Sequence, residues 1–163
     1  MLAIASEVWS TLAGPMQQVA EYAFSEPPEL RAHVVRSAEL HGAVAGRVHQ
    51  ILSAVGASCR PPRAGFYVYP DFEGRRKALA TRGVVDSASL ESQLLERYGI
   101  AVLGGQHFGD CPRALRFRAA TSLLYGDTEE QGRATFRAKD PLREPQVARV
   151  LERLADAFGD LMA

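Results

Sequence analysis

Lysine is nearly missing from this chain of 163 residues: seventeen of its nineteen basic residues are arginine, leaving Lys77 and Lys139. The arginine excess reads as a coding bias, and it sharply limits any chemistry that needs an amine. Cysteine is equally sparse. Cys59 and Cys111 are far apart and sit in no C-x-x-C or zinc spacing, which excludes a disulfide framework and describes reduced thiols of a cytoplasmic protein. No apolar run approaches the ~18 residues of a membrane span, and Met1 to Ala20 lacks a basic region followed by a cleavage site. Net charge is also absent, with nineteen acidic residues against nineteen basic ones. This balance argues against a nucleic-acid or anionic-membrane surface.

A hydrophobic fraction of 47% and a charged fraction of 23% are those of an ordinary globular protein. Residues 1–24 read as two short helices broken at Gly14-Pro15, with Met16, Val19, Ala20 and Ala23 spaced to bury one side of the second. Ser25-Glu26-Pro27-Pro28 signals a helix start. A long helix follows from about Glu29 to Val55, its stripe formed by Val34, Ala38, His41, Val44, Val48, Ile51, Leu52 and Val55. His33, His41 and His49 recur every eight residues. Each is rotated about 80° from the last, because a helix advances roughly 100° per residue, so they do not converge on a metal.

Gly65 to Tyr69 is an aromatic strand, and Asp86 or Ser87 caps a helix carrying Leu90, Leu94, Leu95 and Tyr98, closed by Gly99. Ile100 to Leu103 fits a short buried strand, and Gly104, Gly105 and Gly109 frame a loop. Residues 127–144 read as a polar excursion or loop, and Pro145 to Leu161 as an amphipathic helix with Val147, Val150, Leu151, Leu154, Phe158 and Leu161 inward. The fold class is α/β: a small mixed sheet of three to four strands packed against the long helix and the terminal helix.

In the strand around Phe117, alternation puts Leu115, Phe117 and Ala119 on one face and Arg116 and Arg118 on the other. A guanidinium on a half-buried strand needs an anion, and its planar fork matches a carboxylate at two points. Two readings of Arg116 follow. A ligand anchor faces an open concavity and has no close internal carboxylate; a structural ion pair is bonded inward to Asp or Glu. For Arg118, Asp110 or Asp71 is the expected local partner, and recognition of a further acidic group is the alternative.

Three segments in order, Arg63-Ala-Gly-Phe-Tyr-Val-Tyr-Pro-Asp-Phe72, Gly99-Ile-Ala-Val-Leu-Gly-Gly-Gln-His-Phe-Gly109 and Leu115-Arg116-Phe117, resemble one family. They look like the carboxy-terminal part of class I/II, fold-type I pyridoxal-phosphate-dependent aminotransferases. The resemblance implies that residues 1–24 are a remnant of the large cofactor-binding domain and residues 25–163 the small domain. It implies that Arg116 grips the α-carboxylate of an amino acid or 2-oxo acid, and that Gly65, Phe66, Tyr67, Gly105 and His107 lie near the substrate. His107 is a cleft acid/base or a polar loop residue beside Phe108. Gly104 stands where the family usually has proline, which suggests a looser loop.

The cofactor of the complete enzyme is implied to be pyridoxal 5'-phosphate, held through a lysine in an S-x-x-K signature. Neither Glu73-Gly-Arg-Arg-Lys77 nor Arg137-Ala-Lys139-Asp140 has that form. The chain is therefore expected to bind no cofactor covalently and to be inactive without a missing large domain. The expected assembly is a cytoplasmic homo-oligomer that contacts neither nucleic acid nor membrane. Fold-type I lyases and decarboxylases share the architecture. A non-catalytic binding or assembly module, and an aminotransferase-like domain of a transcription regulator, are the alternatives.

Overall fold

The structure is a computed structural model that describes residues 13–163. The first of the two expected amino-terminal helices lies outside the described residues. Contacts divide the chain into a unit ending at Ser37 and a unit spanning Ala38–Ala163.

The first unit holds helix α1 (Gly14–Phe24), with Pro15 in its first turn, and the start of helix α2 (Pro28–Ala54). Ser25 does not open α2 as expected. Its Oγ donates to the carbonyl of Tyr22 at 2.8 Å, so it closes α1 instead. No residue of α1 is buried. Met16, Val19, Tyr22 and Phe24 are more than half exposed, and Val34 of the next helix is exposed as well.

The second unit carries the core. Leu40, Val44, Ala45, Val48, Ile51 and Leu52 of α2 form one buried stripe. The terminal helix α6 (Pro145–Met162) contributes Val147, Leu151, Ala157, Phe158 and Leu161. Between these helices in the chain come β1 (Tyr67–Val68), α3 (Arg76–Ala80), α4 (Ser87–Tyr98), β2 (Leu103–Gly104), β3 (Phe117–Ala120) and α5 (Glu129–Arg137). The α/β class is present, and among the described residues there are three strands, in the order β1-β3-β2. Both pairings are antiparallel, so the sheet is not mixed. Tyr67 faces Ala120, and Leu103 faces Arg118.

At the centre of this unit Phe72, Phe117 and Phe158 stack, with centroids 5.7–6.1 Å apart and planes within 24°. All three rings are buried. Helix α4 starts in a capping box, in which Asp86 accepts from the Ser89 amide and the Ser89 hydroxyl reaches back to the Asp86 amide. It ends on Gly99 in the left-handed conformation at φ 66°, where a side chain would be strained. Asp160 of α6 ties the two helices by accepting from the Tyr98 hydroxyl at 2.6 Å and from Arg97 at 3.0 Å.

Residues 127–144 are not a loop. They contain α5, whose first turn is capped by Thr128 accepting from the Gln131 amide at 3.2 Å, while Gln131 accepts from the Asp127 amide at 2.8 Å. The T-x-x-Q signal was present in the sequence; polarity and Gly132 masked it. The strand expected at 100–103 is shifted to Leu103–Gly104, with Val102 buried and Leu103 exposed.

Candidate functional site

Arg116 immediately precedes β3, and its backbone bridges Asp71 as the strand pair opens. Alternation turns Phe117 into the core and leaves Arg116 and Arg118 on the other face, together with Tyr67 of the paired strand and Tyr69 just after it. The Arg116 guanidinium lines an open concavity of about 630 Å³ with Ser58, Arg60, Arg63, Tyr67, Tyr69 and Asp71.

Two carboxylates already meet it. Nε donates to Asp71 Oδ2 at 2.8 Å, and Nη1 donates to Asp110 Oδ1 at 3.0 Å. The anchor free of internal carboxylates is therefore not what the structure shows. Asp71 first, and Asp110 second, hold the guanidinium firmly charged. In return the Tyr69 hydroxyl, donating to Asp110 Oδ2 at 2.9 Å, and then Arg116 keep the Asp110 carboxyl below the usual range. Among the described residues Nη2 carries no hydrogen bond, and the side chain remains 39% exposed.

Arg118 pairs with neither of its expected partners, because Asp71 and Asp110 are both taken by Arg116. Its guanidinium carbon lies 4.4 Å from the Tyr67 ring centroid and 4.3 Å from that of Phe108. Residue spacing alone could not distinguish the two partners: both arginines share one strand face, and the loop that folds back decides which groups they meet.

That loop is organised by a residue the sequence reading missed. Glu91 on α4 accepts from the Gly104 amide at 2.9 Å and from Gln106 Nε2 at 3.4 Å, and it stands 3.3 Å from His107 Nε2. Gly104 supplies the N–H that Glu91 accepts, which a proline at this position would lack. Gly105 is needed for close approach. A Cβ there would come within 2.7 Å of the Tyr69 hydroxyl and 3.2 Å of Asp110, and it would part the pair that holds Arg116.

Arg116 and Tyr67 thus share the concavity, and Gly105 backs it through Tyr69 and Asp110. Gly65 precedes it in a turn at φ 68°. Phe66 turns elsewhere: its carbonyl accepts from the Thr121 amide and hydroxyl, and its ring lies 5.3 Å from His41. His107 is exposed and faces Glu91. His41 meets the Tyr125 hydroxyl, which burial pushes up to about 12, and His49 donates to the Cys59 carbonyl at 3.0 Å. No cluster of metal-ligating side chains occurs among the described residues. No helix among them is long and apolar enough to cross a membrane.

Residues 1–123 match the family model described as aminotransferase class I and II. Over 67 residues the chain is 37% identical to the aspartate/prephenate aminotransferase of Cereibacter sphaeroides, a stretch covering 40% of this chain and 17% of that protein. Among solved structures it is similar to a tetra mutant of Thermus thermophilus aspartate aminotransferase. That likeness has a TM-score of 0.42 and 21% identity, and it covers 86% of this chain and 28% of the other. The chain thus spans under a third of the length of either relative.

Proposed function

Because the chain belongs to the class I and II aminotransferase family, we propose that it is the carboxylate-recognising, carboxy-terminal part of an enzyme moving an amino group between an amino acid and a 2-oxo acid. The observation that supports this most is Arg116, pre-oriented at an open concavity with Nη2 unengaged among the described residues. Asp71 fixes the Nε edge. An incoming carboxylate takes Nη1 and Nη2 in the two-point geometry a guanidinium favours. Asp110 yields Nη1 and keeps the Tyr69 hydroxyl as a hydrogen-bond donor. A side chain already oriented loses little freedom when the ligand arrives.

The family's cofactor, pyridoxal 5'-phosphate, supplies the electron sink for amino transfer and is carried on a lysine amine. Here Lys77 and Lys139 are both exposed, and neither lines the concavity at Arg116. The residues present do not fit a covalently held cofactor. The chain's own part in the reaction is to bind and orient the substrate carboxylate, and a large cofactor-binding domain is its proposed partner.

The test has two arms. Mixed with pyridoxal phosphate, reduced with borohydride and digested, the chain yields scattered low-level labelling only; one stoichiometric adduct at Lys77 or Lys139 refutes the reading. Joined to a large-domain segment bearing the family's lysine motif, it transfers amino groups, and Arg116→Lys lowers kcat/KM at least tenfold. A joined protein that binds carboxylates without transferring amino groups supports the non-catalytic module instead.

A further inference from the structure

The two arginines of the β3 face divide the work in an unexpected way. Arg116 is matched by two carboxylates, whereas Arg118 meets no anion among the described residues and is flanked by the rings of Tyr67 and Phe108. No buried side-chain nitrogen or oxygen among the described residues lacks a hydrogen-bond partner. The unbonded nitrogens of Arg118 are therefore open to solvent. Both rings contact the guanidinium carbon, and the N–H groups, which lie in one plane, remain to meet a ligand. Their edge matches a carboxylate or a phosphate at two points, and it is the apolar rim around it that selects between them.

The rim has a character of its own. Tyr67, Phe108 and Leu103 are each 43–44% exposed, and Leu103 stands opposite Arg118 in the strand register. An unneutralised cation framed by apolar groups is complementary to a carboxylate on an apolar body. We propose that Arg118, Tyr67, Phe108 and Leu103 form a recognition site for the carboxylate of an organic acid with a hydrophobic side, distinct from the Arg116 position. The site needs only the aromatic clamp and holds whether or not the chain serves an aminotransferase.

The rings act as positioning groups. Contact with both rings restrains the guanidinium before the ligand arrives, so less freedom is lost on binding. Arg60 and Arg63, on the concavity beside Arg116, contribute a general positive field without a comparable clamp.

The experiment uses the whole chain, with benzoate, acetate and inorganic phosphate as separate probes, followed by NMR at the arginine Nε–H groups and the Tyr67 and Phe108 rings. Benzoate is expected to shift the Arg118 and ring signals saturably, and to bind several-fold tighter than acetate or phosphate. Arg118→Met should weaken benzoate at least tenfold. Arg118→Lys, which keeps the charge and loses the fork, should weaken it several-fold and serves if the methionine variant fails to fold. Arg60→Gln and Arg63→Gln should leave it unchanged. Undiminished binding in both Arg118 variants, phosphate binding as tightly as benzoate, or no saturable binding at all each overturns the proposal.

Discussion

Phe117 joins the core to the functional face, since its ring is fully buried while its chain neighbours are Arg116 and, one residue on, Arg118. Its centroid lies 5.7 Å from Phe72 and 6.1 Å from Phe158, with the planes 24° and 15° apart. Truncation to alanine removes the burial of a large apolar side chain, about 1.5–3 kcal/mol. It also removes two stacked ring pairs at about 0.5–1.5 kcal/mol each. The sum agrees with the about 3–5 kcal/mol found for buried Phe→Ala changes in general. For a chain of this length that is a fall in Tm of about 6–20 °C. Phe117→Leu keeps most of the apolar volume but loses both stacked pairs, and should cost about 1–3 kcal/mol. Urea unfolding followed by circular dichroism reads both. Leu123→Ala, on a side chain 81% exposed, is the control and should stay within about 0.5 kcal/mol. A Phe117→Ala variant that loses under about 1 kcal/mol refutes the picture of a single aromatic stack centring this unit.

Asp86→Ala removes the capping box of α4 and should lower stability by about 1 kcal/mol in the same urea assay, with no effect meaning the cap is idle. Acid should unfold the chain progressively. The Tyr69 hydroxyl and Arg116 depress the Asp110 carboxyl, and the Tyr98 hydroxyl, Arg97 and Arg82 depress that of Asp160. Their stabilisation is complete above the ordinary carboxylate value of about 4 and is lost as pH falls through the lower folded values. Asp160→Asn should flatten that acid limb, and an unchanged acid transition would exclude Asp160 from it. The exposed Met16, Val19, Tyr22 and Phe24 of α1 should drive self-association at micromolar concentration, and a clean monomer by sedimentation that binds no hydrophobic dye would contradict this.

Helix positions were legible wherever an apolar period coincided with a boundary signal. Pro145 begins α6, Gly99 ends α4, and α2 runs from Pro28 to Ala54 against an expected 29 to 55. Helix α5 was not read, although Thr128 and Gln131 announced it, because its nine residues bury only Thr135 and show no apolar stripe. At the site, the arginines were found from alternation along one strand. Asp71 and Asp110 were named as partners of Arg118, but that they reach Arg116 instead was not legible, since they are 45 and 6 residues from Arg116 in sequence. Glu91 went unnoticed for the same reason: it is one acidic residue on an exposed helix face until the Gly104 loop folds over it.

The sequence by itself determined the family, through three ordered motifs, and it determined which residues of β3 point away from the core, because strand alternation is local. It also determined that amine chemistry is confined to Lys77 and Lys139. Only the tertiary structure decided which arginine is neutralised and which is left open. Both present the same charge on the same face, two residues apart. The difference arises because Asp71 and Asp110 converge on Arg116 while Tyr67 and Phe108 converge on Arg118. Pairing is a property of distances across the fold, and a guanidinium's fate depends on whether those distances bring it oxygen or carbon.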